Sequence, residues 1–529
     1  MPLHRVTGKH TSQSRVNINH LLAIMTYTNT THSPSSIHGW HLFSCLFVVF
    51  TSFVNADPAT DALPVHASNF IESGTITSNI GSETNLTRTY TVGSDAVVNF
   101  DSHNIGTNAK VEYLGDSTHR VIGRIADTQA SQIFGQLDSQ INLILLNQHG
   151  FLFGPESVVN VNSLTASALN MSADSITNGM NNIDAKDQAD FVPFEANSEK
   201  VYSGVIQIQN GSSITAANEG SLFFFAPASV INHGDIDAQQ GQINLVAGSK
   251  IYLSQPSGDE SHLLVAVEIT DEHIQAIDEF NAGASTSEQL SIAKVQNGDD
   301  TVDNSSLNLE AKLTQTIGKL FADRGVVTLL GASVNNSGVI SASTSKEVGG
   351  KVYLTAASQL NSNITYEVGN DADRIVQDAE LNTIDLSQYE IGKVELGADS
   401  VITTSPDLTD TSTTIEDSAS PQPQGVITLF GQTIELAQRS SLISHSGQIT
   451  FDNKRSTLEQ LDLSNLGEVS SGDDQYSISI AEDVLLDVSG LHATTEMSRN
   501  MVEVEFLSNE VKDSSLIKND EALRELLLS

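Results

Sequence analysis

GSLFFFAPASVINHGDIDA, from Gly220 to Ala238, is followed by GQINLVAGS from Gly241. The same pair returns as GVVTLLGASVNNSGVISA, from Gly325 to Ala342, followed by GKVYLTAAS from Gly350. A third copy opens at Gly425 as GVITLFG and closes through SHSGQIT, from Ser444 to Thr450, and IQNGSSITA, from Ile208 to Ala216, is a shorter relative. Each copy is a short run of Val, Ile, Leu or Phe ended by Asn-His-Gly, Asn-Ser-Gly or Ser-Gly, the composition of a strand followed by a turn. Gly220 and Gly241 stand 21 residues apart, and Asn210 and Asn232 stand 22 apart. A period near ~20 residues fits one turn of a β-solenoid, whose unit cannot bury its apolar face until a neighbour stacks on it. The chain is therefore expected to be all-β, a parallel β-helix with inward aliphatic columns and Asn and Gly at the corners. If the first 56 residues are removed, the remaining length predicts ~15–20 such coils.

Three stretches break the rhythm. Asp259–Phe321 contains ITDEHIQAIDEF and LEAKLTQTIGKLF, whose apolar spacing at i, i+3 and i+4 predicts helical insertions. Tyr366–Tyr389 is acidic and reads as another, and the Pro-, Ser- and Asp-rich Ser405–Gly425 as a disordered loop. At the other end, Leu42–Val54 is an apolar run of about thirteen residues, too short to span a bilayer comfortably and suited to a signal peptide. Val54-Asn55-Ala56 supplies the small-residue cleavage site, so Asp57 is the expected mature N-terminus, after a long leader whose positive charge lies at Arg5, Lys9 and Arg15.

The 529 residues carry 25 Lys and Arg against 65 Asp and Glu, a formal net charge of −40. That balance excludes a phosphate-neutralising nucleic-acid surface and disfavours anionic membranes. The one cysteine, Cys45, falls in the leader, so the mature chain is expected to hold no disulfide, zinc-thiolate site or cysteine nucleophile. Neither a nucleophile elbow, a Walker loop nor a His-Glu-x-x-His pattern occurs. No catalytic residue, metal ligand or cofactor is therefore assigned, and beyond the leader no apolar run has the length of an integral membrane segment.

The most specific stretch runs from His119 to Ser172: HRVIGRIADTQASQIFGQLDSQINLILLNQHGFLFGPESVVNVNSLTASALNMS. Arg120-Val121-Ile122-Gly123, Ser131 to Leu137, Asn147-Gln148-His149-Gly150, Leu152-Phe153-Gly154 and Leu164-Thr165-Ala166-Ser167 follow one another at tight spacing. In that order they resemble the haemagglutination-activity, or secretion, domain of two-partner secretion exoproteins of the filamentous-haemagglutinin type. Gln148-His149 stands where the family often has Pro-Asn. The resemblance covers about residues 68–255 and more loosely the repeats to the end, where Met497–Asn500 and VEVEFLSNEVKDS are also similar to long members. It implies a right-handed parallel β-helix, and a partner β-barrel transporter of a Gram-negative outer membrane that receives the chain in the periplasm. It also implies a secreted or surface-exposed adhesin with a receptor on another cell. Secretion-motif residues are then expected at Asn147, Gln148, His149, Gly150, Arg120 and Gly154, with Asn147 buried in a corner and paired to equivalent residues of adjacent coils.

The organisation expected is a leader over 1–56 and a secretion domain over 57–255. An insertion with helical segments follows over 256–324, and further β-helical repeats over 325–529. Family exoproteins usually run on for many hundreds of residues, so this chain reads as a fragment, a truncated product or a short member. The rival function is a β-helical polysaccharide lyase or hydrolase. The N-terminal part of a cytolysin or contact-dependent toxin is a variant of the export route.

Overall fold

The computed structural model describes residues 57–80, 86–171, 176, 194–196, 201–254, 262–286, 288–345, 348–356, 364–367, 374–375, 391–406, 423–453 and 477–490. The leader, with Ala56 of the cleavage site, lies outside the described residues, as does most of the Ser405–Gly425 loop.

Three parallel faces wind around one apolar interior. The first is a nine-stranded sheet that begins at Ser131–Ile133 and Gly150–Phe153, and continues through Val205–Ile208, Ser229–Asn232, Lys294–Asn297, Ser333–Asn336, Lys393–Leu396 and Thr433–Leu436 to Ser477–Ile480. On the second face, Val111, Leu137, Val159, Ile214, Ile236, Leu320, Ile340, Ile402 and Leu442 lie in one register column. On the third, Val121, Leu143, Leu164, Leu222, Ile243, Val327, Val352 and Ile427 form another. All these column residues are buried in one core. Fully burying a side chain of this size stabilises by about 1.5–3 kcal/mol, so the stacked columns are the principal source of cohesion in a chain whose single cysteine permits no internal disulfide.

The glycine repeats are in register. Ser221, Gln242, Val326, Lys351, Val426 and Gln448 stack directly, each preceded by a glycine of the repeat: 220, 241, 325, 350, 425 and 447. The stacking explains the residue type, because a Cβ on Gly241 would collide with the carbonyl oxygen of Gly220, and one on Gly325 with that of Gly241. Asn210 and Asn232 are not in register: Asn232 pairs with Ile208, and Asn210 sits two residues on in an exposed turn. Nine strands on the first face are fewer than the ~15–20 coils expected from a uniform repeat. Insertions account for the difference, since 24 residues separate the partners Val205 and Ser229, but 65 separate Ser229 and Lys294.

Both predicted helices occur. The first, α1 (Asp271–Gly283), starts at Thr270, whose side chain accepts from the His273 N–H, and it sinks Ile274 and Ile277 into the core. The second, α2 (Leu309–Gln315), is capped by Asn308 and is shorter than expected, because Lys319–Phe321 joins the second face as a strand. In the acidic Tyr366–Tyr389 region the described residues are strand and not helix: Ile364–Glu367 pairs antiparallel with Arg374–Ile375.

A second apolar layer covers the outside of the third face. Phe223, Phe225, Val246 and Leu330 point outward beneath an antiparallel sheet that includes Asn170–Met171, Phe194–Glu195, Lys250–Ser254 and Leu264–Glu268. Phe194 meets Phe225 edge-on, with ring centroids 5.0 Å apart.

The N-terminal edge is closed by antiparallel strands, Val65–Ser73 on Ala96–Ser102 and Ile76–Ile80 on Thr87–Val92. These strands cover the edge of the first parallel coil, which would otherwise present its backbone groups unpaired. Beneath it, Tyr90 stacks on Tyr113 at 4.6 Å, His66 Nε2 meets the Tyr90 hydroxyl at 2.9 Å, and His103 Nε2 meets the Tyr113 hydroxyl at 3.2 Å. Burial lowers the His103 pKa to about 4, and burial beside Tyr202 lowers that of His273 to about 3. Both rings are thus neutral when folded, while the unfolded chain takes up protons below about pH 6.5. The stability these two sites contribute is complete above that pH. It is lost as pH falls toward 4 and 3, by about 1.4 kcal/mol per histidine per pH unit. Replacing His103 with Phe should flatten the dependence of the thermal midpoint on pH between 6.5 and 4.5; an unchanged slope would contradict this assignment.

Candidate functional site

The NQHG turn joins the third face to the first. Asn147 directly follows the strand Gln136–Leu146, and Gly150 begins Gly150–Phe153. The turn closes by a bond from the Gly150 N–H to the Asn147 carbonyl at 2.8 Å, and it is tied to the next coil by the Asn147 N–H donating to the Ser167 carbonyl at 3.0 Å. Asn147 is fully buried, and its side chain is satisfied on both ends. Oδ1 accepts from the His149 N–H at 3.0 Å, while Nδ2 donates to the Gln129 carbonyl and to Ser131 Oγ, both at 2.9 Å. The His149 ring, half-buried, donates from Nδ1 to the Asp127 carbonyl at 2.9 Å, since a carbonyl can only accept. One corner thus fixes its own turn, the preceding loop 127–131 and the following coil at Ser167.

The expectation of an asparagine ladder at Asn147 is corrected by these contacts: its amide reaches a serine and a backbone carbonyl in the preceding loop, and no asparagine. A ladder does form at another corner, where the first face turns into the second. There Asn232 Nδ2 donates to Asn297 Oδ1, and Asn297 Nδ2 donates to Asn336 Oδ1, both at 2.8 Å. All three are fully buried.

Gly150 has φ +95°, where an L side chain is strained, and a Cβ there would overlap the Val205 backbone of the next coil. Gln148 is half-buried and adds close backbone contact, its carbonyl facing Gly204. The two remaining expected residues belong elsewhere. Gly154 lies at the next corner, where a Cβ would strike the Phe134 ring, and its N–H donates to the Ile133 carbonyl. Arg120 opens a third-face strand and is held by Asp95, its N–H at 2.8 Å and Nη2 at 3.4 Å from the carboxylate. Sequence reading thus found the corner but grouped two residues with it that serve other corners. It missed Asp127 and Gln129, which have no turn signature and contribute through their backbone carbonyls, and it gave Ser131 and Ser167 as motif elements without tying them to this corner.

No group of three or more His, Cys, Asp or Glu able to hold a metal ion occurs among the described residues. Among them, no helix is long and apolar enough to cross a membrane. A stack of parallel coils with a capped first edge and a corner tied to both neighbouring segments in its early coils defines the class: a parallel β-helical protein. Residues 65–320 match the family model of the TPS secretion domain, the secretion domain of two-partner secretion exoproteins. Proteins of this family leave through the periplasm to the cell surface or medium, and the domain implies an outer-membrane transporter as partner. Among solved structures, the HMW1 secretion domain from Haemophilus influenzae is similar at 20% identity, covering 79% of this chain and 83% of that one, with a TM-score of 0.49. No curated protein matches the sequence.

Proposed function

We propose that this chain is an adhesin-type exoprotein, exported by a partner β-barrel transporter and displayed at the surface of a Gram-negative cell, with a binding role in preference to a catalytic one. The observation that carries the reading is the continuity of the stack. Lys319–Phe321, at the end of the matched domain, pairs with Val339–Ser341, and the faces run on to Ser477–Ile480 and Leu485–Asp487. The later coils are thus a passenger laid on the secretion domain as a template. In this reading the Asn147 corner forms only after residues 127–167 have emerged, so its closure outside opposes backward sliding.

Asn147→Ala removes three side-chain bonds at a buried site and should cost about 1–3 kcal/mol, leaving purified protein folded but less stable. Co-expressed with the transporter, it should sharply reduce the extracellular protein. Asn210 lies in an exposed turn, so Asn210→Ala is the near-neutral control. Asn297→Ala, in the ladder, supplies the matched loss of stability. Export of Asn147→Ala equal to that of Asn297→Ala would reduce the corner to a structural role. Binding of the exported protein to whole target cells, compared with the secretion domain alone, tests the adhesive part; equal absence of binding by both would remove it.

A further inference from the structure

Near the last described coil, three polar side chains distant in sequence meet on the outer surface. Ser405 follows the second-face strand Val401–Thr403, His445 follows Ser441–Ile443 in the next coil, and Asp487 ends Leu485–Asp487 in the one after. Ser405 Oγ lies 2.9 Å from His445 Nδ1, and His445 Nε2 lies 3.3 Å from Asp487 Oδ2. Thr403 Oγ1 donates to Ser405 Oγ at 3.1 Å. That bond occupies an acceptor position on the serine and leaves its own proton directed at His445. All three side chains are partly exposed, so a ligand can reach them.

The geometry points to a nucleophilic site in which Ser405 is the nucleophile, His445 the general base and Asp487 the group that orients the imidazole, acting on an accessible ester or other activated acyl group. Ser405 and His445 stand within hydrogen-bond reach as nucleophile and base, and Asp487, at 3.3 Å, lies just outside that reach as in a site without its ligand, with the two ring nitrogens exchanged relative to the usual order. Asp487 must be ionised for this, and hydrogen bonds from Ser489 hold its carboxyl below the ordinary carboxylate range. Ser405 Oγ would bond to the acyl carbon as its proton passes to His445 Nδ1. The bond to the leaving oxygen then breaks and that oxygen takes the proton. Water repeats the sequence, so ester and water give acid and alcohol.

The relay is tested on the full chain with a fluorophosphonate probe, the labelled residue being read by mass spectrometry. Labelling is expected at Ser405. His445→Ala should slow it ~10²–10⁴-fold, the usual contribution of a general base. Asp487→Asn should slow it by about tenfold or more, and Ser213→Ala, at an exposed serine of an earlier coil, should leave it unchanged. Thermal melts establish that each variant is folded. Ser405→Ala should abolish the labelling; should that variant fail to fold, Ser405→Cys takes its place, with alkylation by iodoacetamide expected to be faster than at a cysteine introduced by Ser213→Cys. No labelling at Ser405, labelling unaffected by His445→Ala, or equal alkylation of the two cysteines would each overturn the proposal and leave the three residues as a polar staple between coils.

Discussion

Gly150→Val is expected to prevent the early coils from closing, with a loss of about 3–5 kcal/mol in the isolated domain and no detectable export. Two independent costs act at once. The backbone at φ +95° strains any L residue, by about 1–3 kcal/mol. The added side chain would also occupy the space of the Val205 carbonyl, which belongs to a strand paired with Gly150–Phe153 and cannot retreat without breaking that pairing. Gly154→Ala is the informative comparison, because its Cβ would meet the Phe134 ring, a side chain with more freedom to shift than backbone. Its melting temperature should fall less. A Gly150→Val protein that melted like wild type would mean that the turn is not as described.

The second large effect is expected at a buried ion cluster that ties four coils together. From α2, Lys312 Nζ reaches Asp399 Oδ1 at 3.0 Å and the Arg439 carbonyl at 3.3 Å. Arg439 grips the same carboxylate through two bonds, Nε to Oδ1 at 2.9 Å and Nη2 to Oδ2 at 3.0 Å. Ser337, in the coil between, donates to Asp300 of the same insertion at 2.9 Å. Burial raises the Asp399 carboxyl pKa, but hydrogen bonds from Arg439 and Lys312 outweigh it and hold the group below its ordinary value. Removing the anion leaves two cations facing each other, one of them buried, at a cost of about 3–5 kcal/mol. Asp399→Asn should therefore lower the melting temperature markedly and open the 298–318 segment to protease. Lys312→Met, which keeps the Arg439 pair and buries a similar stem, should cost much less. Since the folded pKa of Asp399 is depressed, its contribution is present above about pH 4 and lost as pH falls below it. The wild type should lose the protease resistance of this segment in that acid range. Equal protease resistance of Asp399→Asn and wild type at neutral pH would show that the insertion is held by packing alone.

The coils were legible because steric need writes itself into residue type: Gly220, Gly241, Gly325 and Gly447 lie against the backbone of the preceding coil, and Gly350 and Gly425 against Ala342 and Thr404 of their own, so glycine repeats visibly at these corners. Asparagine carries less information. Asn147, Asn210 and Asn232 look alike in sequence, yet the first is bonded to a loop, the second is exposed and the third lies in a ladder. The second apolar layer left a signal that alternation alone overlooks: LFFFA has no polar alternate, as befits a strand covered on both sides. The Asp399 cluster left none, because Lys312 and Arg439 are 127 residues apart and meet only through the winding of the coils. The same holds for Ser405, His445 and Asp487, each unremarkable in its own segment.

Transporter dependence is the most direct test of the account. The full chain should be expressed in a Gram-negative host with and without its partner transporter, and protease applied to intact cells. The account predicts that the chain is degraded from outside, or recovered from the medium, only when the transporter is present, and that deleting residues 65–320 abolishes this. Equal extracellular exposure without the transporter, or export that survives the deletion, would contradict it.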